Sequence, residues 1–117
     1  EIHKIKYQLL NLLKKIKEKK QNIHGYGAST KGNVLLQYFG IDNKFIDNIS
    51  ERNPNKFNLY TPGTNIKIIS ENASRKKLPK YYLVLPWHFK DEILKREKKI
   101  RSKGTKFIFP LPGLKVY

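Results

Sequence analysis

The sequence predicts an α/β domain, a small three-layer sandwich in which helices cover both faces of a mainly parallel sheet. Segments with apolar residues at helical spacing alternate along the chain with short runs rich in Ile, Val, Tyr and Phe. One such run, "YYLVLPW", is apolar almost throughout, as is typical of a strand buried on both faces. The glycine-rich stretch "GYGASTKGN" separates a strand segment from a helix segment, and this alternation favours right-handed parallel crossovers. The expected architecture is therefore Rossmann-like.

The chain of 117 residues suffices for a single domain with its own core, residues 1–117. An amphipathic helix leads in over residues 1–20, because apolar side chains recur at three- and four-residue steps at Ile2, Ile5, Leu9, Leu12, Leu13 and Ile16. The segment "NIHGY" then forms a short strand that ends at the glycines. A second helix runs from Thr30 to Phe39 and stops at Gly40, and "KFIDNIS" forms the second strand.

A long loop, "ERNPNKFNLYTPGTN", joins the second strand to the third, "IKIIS", and loops of this length in small domains are often functional. Ser70 caps a short helix over "ENASRKKL". The buried strand "YYLVLPW" is followed by one amphipathic helix that includes residues 89–100 and ends at Gly104. The chain closes with the strand "KFIFPLP" and an extended piece, "LKVY".

The formal net charge of +16 raises nucleic-acid binding as an alternative function. Most of the Lys and Arg residues, however, alternate with apolar residues in the first and last helical segments, which is typical of solvent-exposed helix faces. No familiar DNA- or RNA-binding signature occurs in the sequence. Nucleic acid is therefore the less favoured partner, and a basic nucleic-acid-binding protein stays open as an alternative.

The chain has no cysteine, and His3, His24 and His88 lack the spacing of a zinc motif, so the sequence predicts no metal site. No apolar run approaches the roughly 20 residues needed to cross a bilayer, and the start lacks the apolar segment of a signal peptide. We therefore expect a soluble, cytoplasmic protein without a membrane partner. Because the chain begins with Glu1 rather than Met, we also expect it to be part of a longer protein.

Residues 25–33 occupy the first strand-to-helix turn, where backbone N–H groups and a helix N-terminus can bind a phosphate. Their spacing matches neither well-known fingerprint. The dinucleotide pattern G-x-G-x-x-G has Thr30 in place of its third glycine, and the P-loop pattern fails because Gly32 is followed by Asn33 and Val34. The pattern is compatible with a phosphate site or with a turn that only packs helix against strand.

If a ligand binds at this turn, Gly25 and Gly27 allow a tight bend and a close approach of the backbone. Lys31 then reaches a phosphate as a point charge, and Ser29 or Thr30 caps the helix. Ligand binding is the favoured interpretation, because folds of this class keep their sites at the carboxyl ends of the strands.

Two further candidate sites lie in the loop after the second strand. Glu51 stands near the position of the ribose-binding acid of Rossmann domains, or is an exposed carboxylate paired with Arg52. In "YTPGT", the pair Pro62 and Gly63 predicts a type II turn that presents the residues around it, including Thr64.

Trp87 and His88 come directly after the buried strand "YYLVLPW", again at its carboxyl end. An indole there can stack on a base or a sugar, and an imidazole can form hydrogen bonds. Each residue alone also fits a structural role, Trp87 as an anchor at the edge of the core and His88 as a helix-start residue bonded to backbone.

Four segments, "GYGASTKGNVLLQYFGI", "ERNPNKFNLYTPGTNIKII", "YYLVLPWHFKDEI" and "GTKFIFPLP", occur in this order. In order and spacing they resemble the C-terminal domain of the S-adenosylmethionine-dependent sugar C-methyltransferases, which methylate a carbon of a nucleotide-linked deoxysugar. The resemblance covers residues 12–117. Departures are small: Ser29 and Thr30 stand where family members often carry Pro-Ala, and Glu51 stands where Asp is common.

The resemblance implies a three-part enzyme of which this chain is the last part. In the family, a missing N-terminal region binds zinc through cysteines, and a middle domain holds S-adenosylmethionine and the residues that act in catalysis. A base removes the proton next to a keto group, and the enolate attacks the methyl carbon of the donor. The C-terminal domain is expected to hold the nucleotide-sugar against the middle domain, so this fragment supplies positioning and phosphate neutralisation and no known catalytic residue.

By the same resemblance, the expected substrate-binding residues are Gly25, Tyr26, Gly27, Ser29, Thr30, Lys31, Gly32, Asn33, Glu51, Arg52, Asn53, Thr61, Pro62, Gly63, Thr64, Trp87 and His88. A stand-alone dinucleotide-binding, nucleotide-binding or regulatory module remains the other alternative, and the absent third glycine argues against it.

Overall fold

A single six-stranded sheet organises the computed structural model, which describes residues 2–117. In chain order the strands are β1 (Ile23–Tyr26), β2 (Asn48–Glu51), β3 (Ile68–Ser70), β4 (Tyr81–Val84), β5 (Lys106–Phe109) and β6 (Lys115–Val116). Their spatial order is β3-β2-β1-β4-β5-β6, with β1 to β5 parallel and β6 antiparallel to β5. This is the strand order of a Rossmann fold, and the predicted α/β class with a mainly parallel sheet is confirmed.

Five helices cover the two faces of the sheet. They are α1 (Ile2–Glu18), α2 (Thr30–Phe39), α3 (Glu71–Lys77), α4 (Lys90–Arg96) and α5 (Lys98–Ser102). One face packs against α1 and α2, where the inner helix side chains Leu9, Leu13 and Leu36 are at most 1% exposed. The opposite face packs against α3, α4 and α5. Successive residues of β1 and β4 point to alternate faces, and helices cover both faces, so these strands are buried almost throughout.

Local signals in the sequence set the ends of the best-predicted helices. Ser29 accepts a hydrogen bond from the Gly32 N–H at 3.0 Å and starts α2, and Gly40 ends it in the left-handed region with a φ of 72°. Ser70 caps α3 in the same way by accepting from the Ala73 N–H at 3.0 Å. The bounds predicted for α2 and the cap predicted for α3 are therefore confirmed.

Two predicted elements need correction. The single helix expected over residues 89–100 is a 3-10 turn, Trp87–Phe89, followed by α4 and α5, which are separated at Glu97 (φ −97°, ψ 22°). The Glu97 side chain points inward to polar partners instead of lying on a solvated helix face. The second strand starts at Asn48 and not at the beginning of "KFIDNIS", because a side-chain oxygen of Asp42 accepts from the Lys44 N–H at 2.9 Å and holds a turn there.

The loop between β2 and β3 is ordered by internal contacts. It contains a 3-10 turn, Pro54–Lys56, which Asn53 caps, and a bridge between Tyr60 and Lys67. Within residues 2–117, no helix is long and apolar enough to cross a membrane.

Candidate functional site

A cleft of about 330 Å³ lies at the carboxyl ends of β1, β2 and β4, where the sequence placed its candidate site. The loops after β1 and β4 form one wall, the end of β2 forms another, and α4 closes the third side. The side chains that give this sheet-edge cleft its chemistry are Tyr26, Glu51, Arg52, Glu71, Phe89, Glu92 and Arg96. Of the residues expected from the sequence, Tyr26, Gly27, Glu51 and Arg52 line it.

The glycine corner, residues 25–33, is closed by groups of the protein itself. The Gly27 N–H donates to the Ser50 carbonyl at 3.0 Å, and the Ala28 N–H donates to Oε1 of Glu51 at 2.9 Å. The Lys56 ammonium donates to the Ala28 carbonyl, also at 2.9 Å. Glu51 thus takes a backbone donor of the corner with its own carboxylate, and its Oε2 accepts from the Asn53 N–H. The corner forms a wall of the cleft, and Ala28 does not offer a free N–H to a phosphate.

Two glycines of the corner are required by packing. A Cβ on Gly25 would lie 2.9 Å from Cγ1 of Ile49, and one on Gly32 would lie 3.0 Å from Cβ of Leu85. Gly27 instead needs its conformation, since its φ of 90° is unfavourable for other residues. Of these three glycines, Gly27 also lines the sheet-edge cleft.

The side chains of Thr30 and Lys31 are exposed in the first turn of α2, and that of Ser29 is used in the cap. The structure gives neither Thr30 nor Lys31 a place in the lining of the sheet-edge cleft. Their expected role in binding stays a prediction.

The "YTPGT" bend packs on α2 and does not line the sheet-edge cleft. Asn33 donates to the Pro62 carbonyl at 2.8 Å and accepts from the Thr64 hydroxyl at 2.6 Å. Thr61 bonds to Thr64, and its Oγ1 also accepts from the Ile66 N–H at 2.9 Å. This continuous chain of hydrogen bonds fastens the loop to the first turn of α2.

Gly63 has a positive φ of 73°, as expected for the glycine of a Pro-Gly turn. The turn is closed by the Asn65 N–H, which donates to the Thr61 carbonyl at 2.8 Å. This hydrogen bond spans residues 61–65 and encloses the Pro-Gly pair on which the predicted turn depends.

Trp87 and His88 line a neighbouring aromatic cleft of about 400 Å³, together with Leu111 and Pro112. The Trp87 and His88 rings meet edge to face with centroids 4.8 Å apart, and His88 stacks on Phe89 at 5.2 Å. Phe89 and Glu92 line both this aromatic cleft and the sheet-edge cleft, so the two are adjacent.

A buried carboxylate organises the α4 side of the site. Glu97 is 3% exposed, accepts from the Tyr26 hydroxyl at 2.6 Å and receives both Nε and Nη2 of Arg75 at 3.1 and 2.8 Å. Arg96 donates to the Tyr26 hydroxyl, and its guanidinium lies over the Tyr26 ring, 5.6 Å from the centroid. This arrangement fixes the Arg96 side chain at the edge of the sheet-edge cleft.

The pKa values in this network follow from burial and charge. Burial alone raises the pKa of Glu97, but hydrogen bonds from Arg75 and Tyr26 outweigh it and hold the pKa below its usual value. Burial, together with the hydrogen bond to Glu97, raises the pKa of Tyr26 well above that of free tyrosine. Glu97 is therefore ionised and Tyr26 is protonated at neutral pH, so that the tyrosine donates to the carboxylate.

Sequence reasoning missed Glu71, Phe89, Glu92, Arg96 and Glu97, because the segment that carries four of them was interpreted as a solvated helix. One signal was present: Ile93, Glu97 and Ile100 are spaced by four and three residues, which places a carboxylate on the apolar stripe. A carboxylate at such a position needs a buried cationic partner.

The sheet-edge cleft combines both charge signs. Arg52 and Arg96 can bind oxyanions through their N–H groups, and carboxylates such as Glu92 can accept hydrogen bonds from hydroxyl groups. Glu71 lies 3.9 Å from the Arg52 guanidinium, which is 71% exposed and free to turn toward a ligand. Among the described residues, 2–117, no group of His, Cys, Asp and Glu side chains could hold a metal ion.

Comparison with known proteins gives two matches. A family model described as the C-methyltransferase C-terminal domain matches residues 1–112. The C-methyltransferase NovU of Streptomyces niveus is 32% identical over 113 residues, which cover 97% of this chain and 27% of the relative. The chain thus spans well under a third of the length of the curated relative that it matches.

Proposed function

Because the chain belongs to the C-methyltransferase C-terminal domain family, we propose that it is the substrate-holding domain of a methyltransferase that acts on a nucleotide-linked ketodeoxysugar. The full enzyme would use S-adenosylmethionine as methyl donor and would hold it, and a structural zinc ion, outside this chain. Here the domain binds and orients the sugar nucleotide, and other parts of the enzyme carry out proton abstraction and methyl transfer.

The observation that carries this proposal is the pairing of Arg52 and Arg96 with Glu71 and Glu92 around one cleft at the sheet edge. Guanidinium groups bind phosphate oxygens through paired N–H donors, and carboxylates bind the hydroxyl groups of a sugar. A ligand that has both groups next to each other is a sugar phosphate. The mixed charge of the cleft therefore favours a sugar nucleotide over a simple anion.

The aromatic cleft extends this site. The sheet-edge cleft of about 330 Å³ suits the sugar and its phosphates, and a nucleoside would need further space. Beyond Phe89, the rings of Trp87 and His88 supply a surface on which a base can stack. We therefore place the sugar and phosphates beside Arg52 and Arg96 and the base beside Trp87.

The glycine corner receives a different role in this arrangement from the one that its sequence suggested. Glu51 already bonds to the Ala28 N–H, so a dinucleotide bound in the usual Rossmann manner would have to displace that carboxylate. This contact disfavours the stand-alone dinucleotide-binding module. The corner instead fixes the shape of the wall against which the sugar lies.

In the proposed reaction, a base elsewhere in the enzyme removes the proton next to the keto group, and the enolate carbon forms a bond to the donated methyl group. The residues of this chain hold the phosphates so that the ring carbon stays in line with the donor. The guanidinium groups of Arg52 and Arg96 also reduce the negative potential of the diphosphate near the developing enolate. The expected effect of removing them falls mainly on substrate affinity.

Binding tests the proposal directly. The full-length enzyme and its Arg52→Gln variant are titrated calorimetrically with dTDP-, CDP- and GDP-linked sugars, and Lys14→Gln on the exposed face of α1 serves as a control of equal charge. We expect Arg52→Gln to weaken binding of the best sugar nucleotide at least fivefold and to raise KM with little change in kcat. The proposal fails if no sugar nucleotide gives a heat signal, or if Lys14→Gln weakens binding as much as Arg52→Gln.

A further inference from the structure

A third cleft, of about 420 Å³, lies between α3 and the segment formed by α4 and α5, next to the sheet-edge cleft, with which it shares Arg96. We call it the basic cleft. Its basic side chains come from α3, α4, α5 and the residue directly after α5: Arg75, Lys76, Arg96, Lys99 and Lys103. We propose that the basic cleft binds a small multivalent phosphate, separately from the sugar-nucleotide site.

The local charge sets this cleft apart from the general basicity of the chain. The sheet-edge cleft balances Arg52 and Arg96 against three carboxylates, whereas Glu97 is the one carboxylate among the described residues that line the basic cleft. Glu97 is 3% exposed and already accepts hydrogen bonds from Arg75 and Tyr26. The positive charge that remains in the basic cleft therefore faces solvent without a counter-charge from its own lining.

The two arginines of the basic cleft are held in place before a ligand arrives. The Nε and Nη2 groups of Arg75 both donate to Glu97, and within residues 2–117 its Nη1 group has no hydrogen-bond acceptor. Arg96 is held by the Tyr26 hydroxyl. A guanidinium that is already ordered loses less conformational entropy on binding than a free surface side chain.

Lys76, Lys99 and Lys103 provide mobile charge around these fixed groups. All three are exposed, and none of them forms an ion pair with another described residue. Three flexible ammonium groups around an ordered guanidinium suit a compact ligand with several negative oxygens. The Asn72 side chain at the rim adds a neutral donor.

The lining also indicates which part of a ligand is recognised. Ile100 is the apolar residue of the lining, and the cleft has no aromatic ring on which a base could stack. Recognition therefore falls on the phosphate groups and not on a nucleoside. A diphosphate or longer polyphosphate fits both the volume and the charge of the basic cleft.

The test uses inorganic pyrophosphate, which has the charged groups without a nucleoside. The full chain is titrated in 0.15 M salt by calorimetry and by amide NMR, with the backbone amide of Ile100 as a local reporter. We expect saturable binding, a shift of the Ile100 signal, and at least tenfold weaker binding in the Lys99→Gln/Lys103→Gln double variant. The matched control Lys14→Gln/Lys15→Gln removes the same charge from α1 and should weaken binding less than twofold.

Three outcomes would overturn the proposal. Equal weakening in both double variants would mean that pyrophosphate binds only through the net charge of the chain. Tighter binding of a random DNA duplex than of pyrophosphate, with the same residues shifted, would identify a nucleic-acid surface instead. Absence of saturable binding would exclude the site itself. Arg52→Gln removes a charge from the sheet-edge cleft and any pyrophosphate bound there. The weakening caused by Lys99→Gln/Lys103→Gln should be the same in the Arg52→Gln background, so this proposal and the proposed function can fail independently.

Discussion

At the scale of single residues, the Tyr26 hydroxyl is the group on which the geometry of the site depends most. It donates to a buried carboxylate, accepts from Arg96, and stands at the end of the central strand β1. Removing one partner of such a network leaves other buried polar groups unsatisfied, which costs more than the lost hydrogen bond itself. Tyr26 therefore connects the stability of the domain to the position of a guanidinium in the proposed site.

The Tyr26→Phe variant should test this connection. It keeps the ring and removes the hydroxyl, so we expect the free energy of unfolding to fall by about 2 kcal/mol, measured by urea denaturation. We also expect weaker sugar-nucleotide binding, because Arg96 loses its fixed acceptor. Tyr38→Phe is the matched control, since the Tyr38 ring is 44% exposed. Equal stability of Tyr26→Phe and Tyr38→Phe would contradict the role of the hydroxyl.

His24 makes the stability of the domain depend on pH. The side chain is 1% exposed, its Nδ1 bonds to the Ser74 hydroxyl at 2.7 Å, and that hydroxyl bonds to Tyr82. Burial lowers the pKa of His24 from 6.5 to about 4. Between these two values the unfolded chain binds more protons than the folded one, so stability rises with pH across this window.

We therefore expect the free energy of unfolding to include the full contribution of His24 above pH 6.5. As the pH falls toward 4, this contribution should decrease by up to about 3 kcal/mol. Denaturation curves between pH 4.5 and 7 for the natural chain and for His24→Gln give the measurement. The lowered pKa of Glu97 also makes the domain less stable in acid, but this effect occurs at lower pH and in both proteins. A slope that is the same in both proteins over this range would show that His24 is not responsible.

At the scale of elements, the bend "YTPGT" and the helix α2 act as one unit. The Thr64 side chain is 2% exposed and stands between Thr61 and Asn33 in a chain of hydrogen bonds. These residues belong to the sequence segments that carry the family resemblance, and the structure shows what they do physically. They fasten the loop after β2 to the first turn of α2, beside the glycine corner.

Replacing Thr64 by Val should release this loop. The variant has nearly the same shape but lacks the hydroxyl, and we expect a loss of about 2 kcal/mol in the free energy of unfolding. Amide hydrogen exchange at Asn65 and Ile66 should accelerate more than exchange in the rest of the domain. Thr30→Val, at an exposed position of α2, serves as the control. Unchanged exchange in Thr64→Val would mean that the backbone turn alone holds the loop.

The same elements show what the sequence can predict. The bounds of α2 follow from local chemistry, a serine cap and a glycine in the left-handed region, and these residues directly flank the helix. The partner of Glu51 could not be predicted, because Ala28 is far from it in sequence and meets it only when β1 and β2 pair. For Glu97, the spacing from Ile93 and Ile100 was a signal that went unused, and only the packing of α3 reveals Arg75 as its partner. Site residues that depend on contacts between distant segments were therefore the ones missed.

At the scale of the whole molecule, net charge is the dominant physical property. The chain has 25 Lys and Arg residues against 9 Asp and Glu, within a radius of gyration of 13.0 Å. Folding brings these like charges closer together than they are in the expanded chain, so their repulsion opposes folding. The carboxylates that are present are concentrated in a few shared contacts, such as those of Glu71 and Glu97 with Arg75.

We therefore expect added salt to stabilise the domain. Raising NaCl from 0.05 to 0.5 M shortens the screening length from about 14 Å to about 4 Å, which removes most of the repulsion between surface charges. The free energy of unfolding should rise by roughly 1 kcal/mol, and the Tm by about 4 °C, measured by thermal circular dichroism. The rise should level off near 0.5 M, because screening saturates, whereas stabilisation by solute exclusion would continue to increase. A Tm that stays constant or falls over this range would mean that the basic side chains lie too far apart to repel one another. The charge of the basic cleft would then affect the binding of ligands and not the stability of the fold.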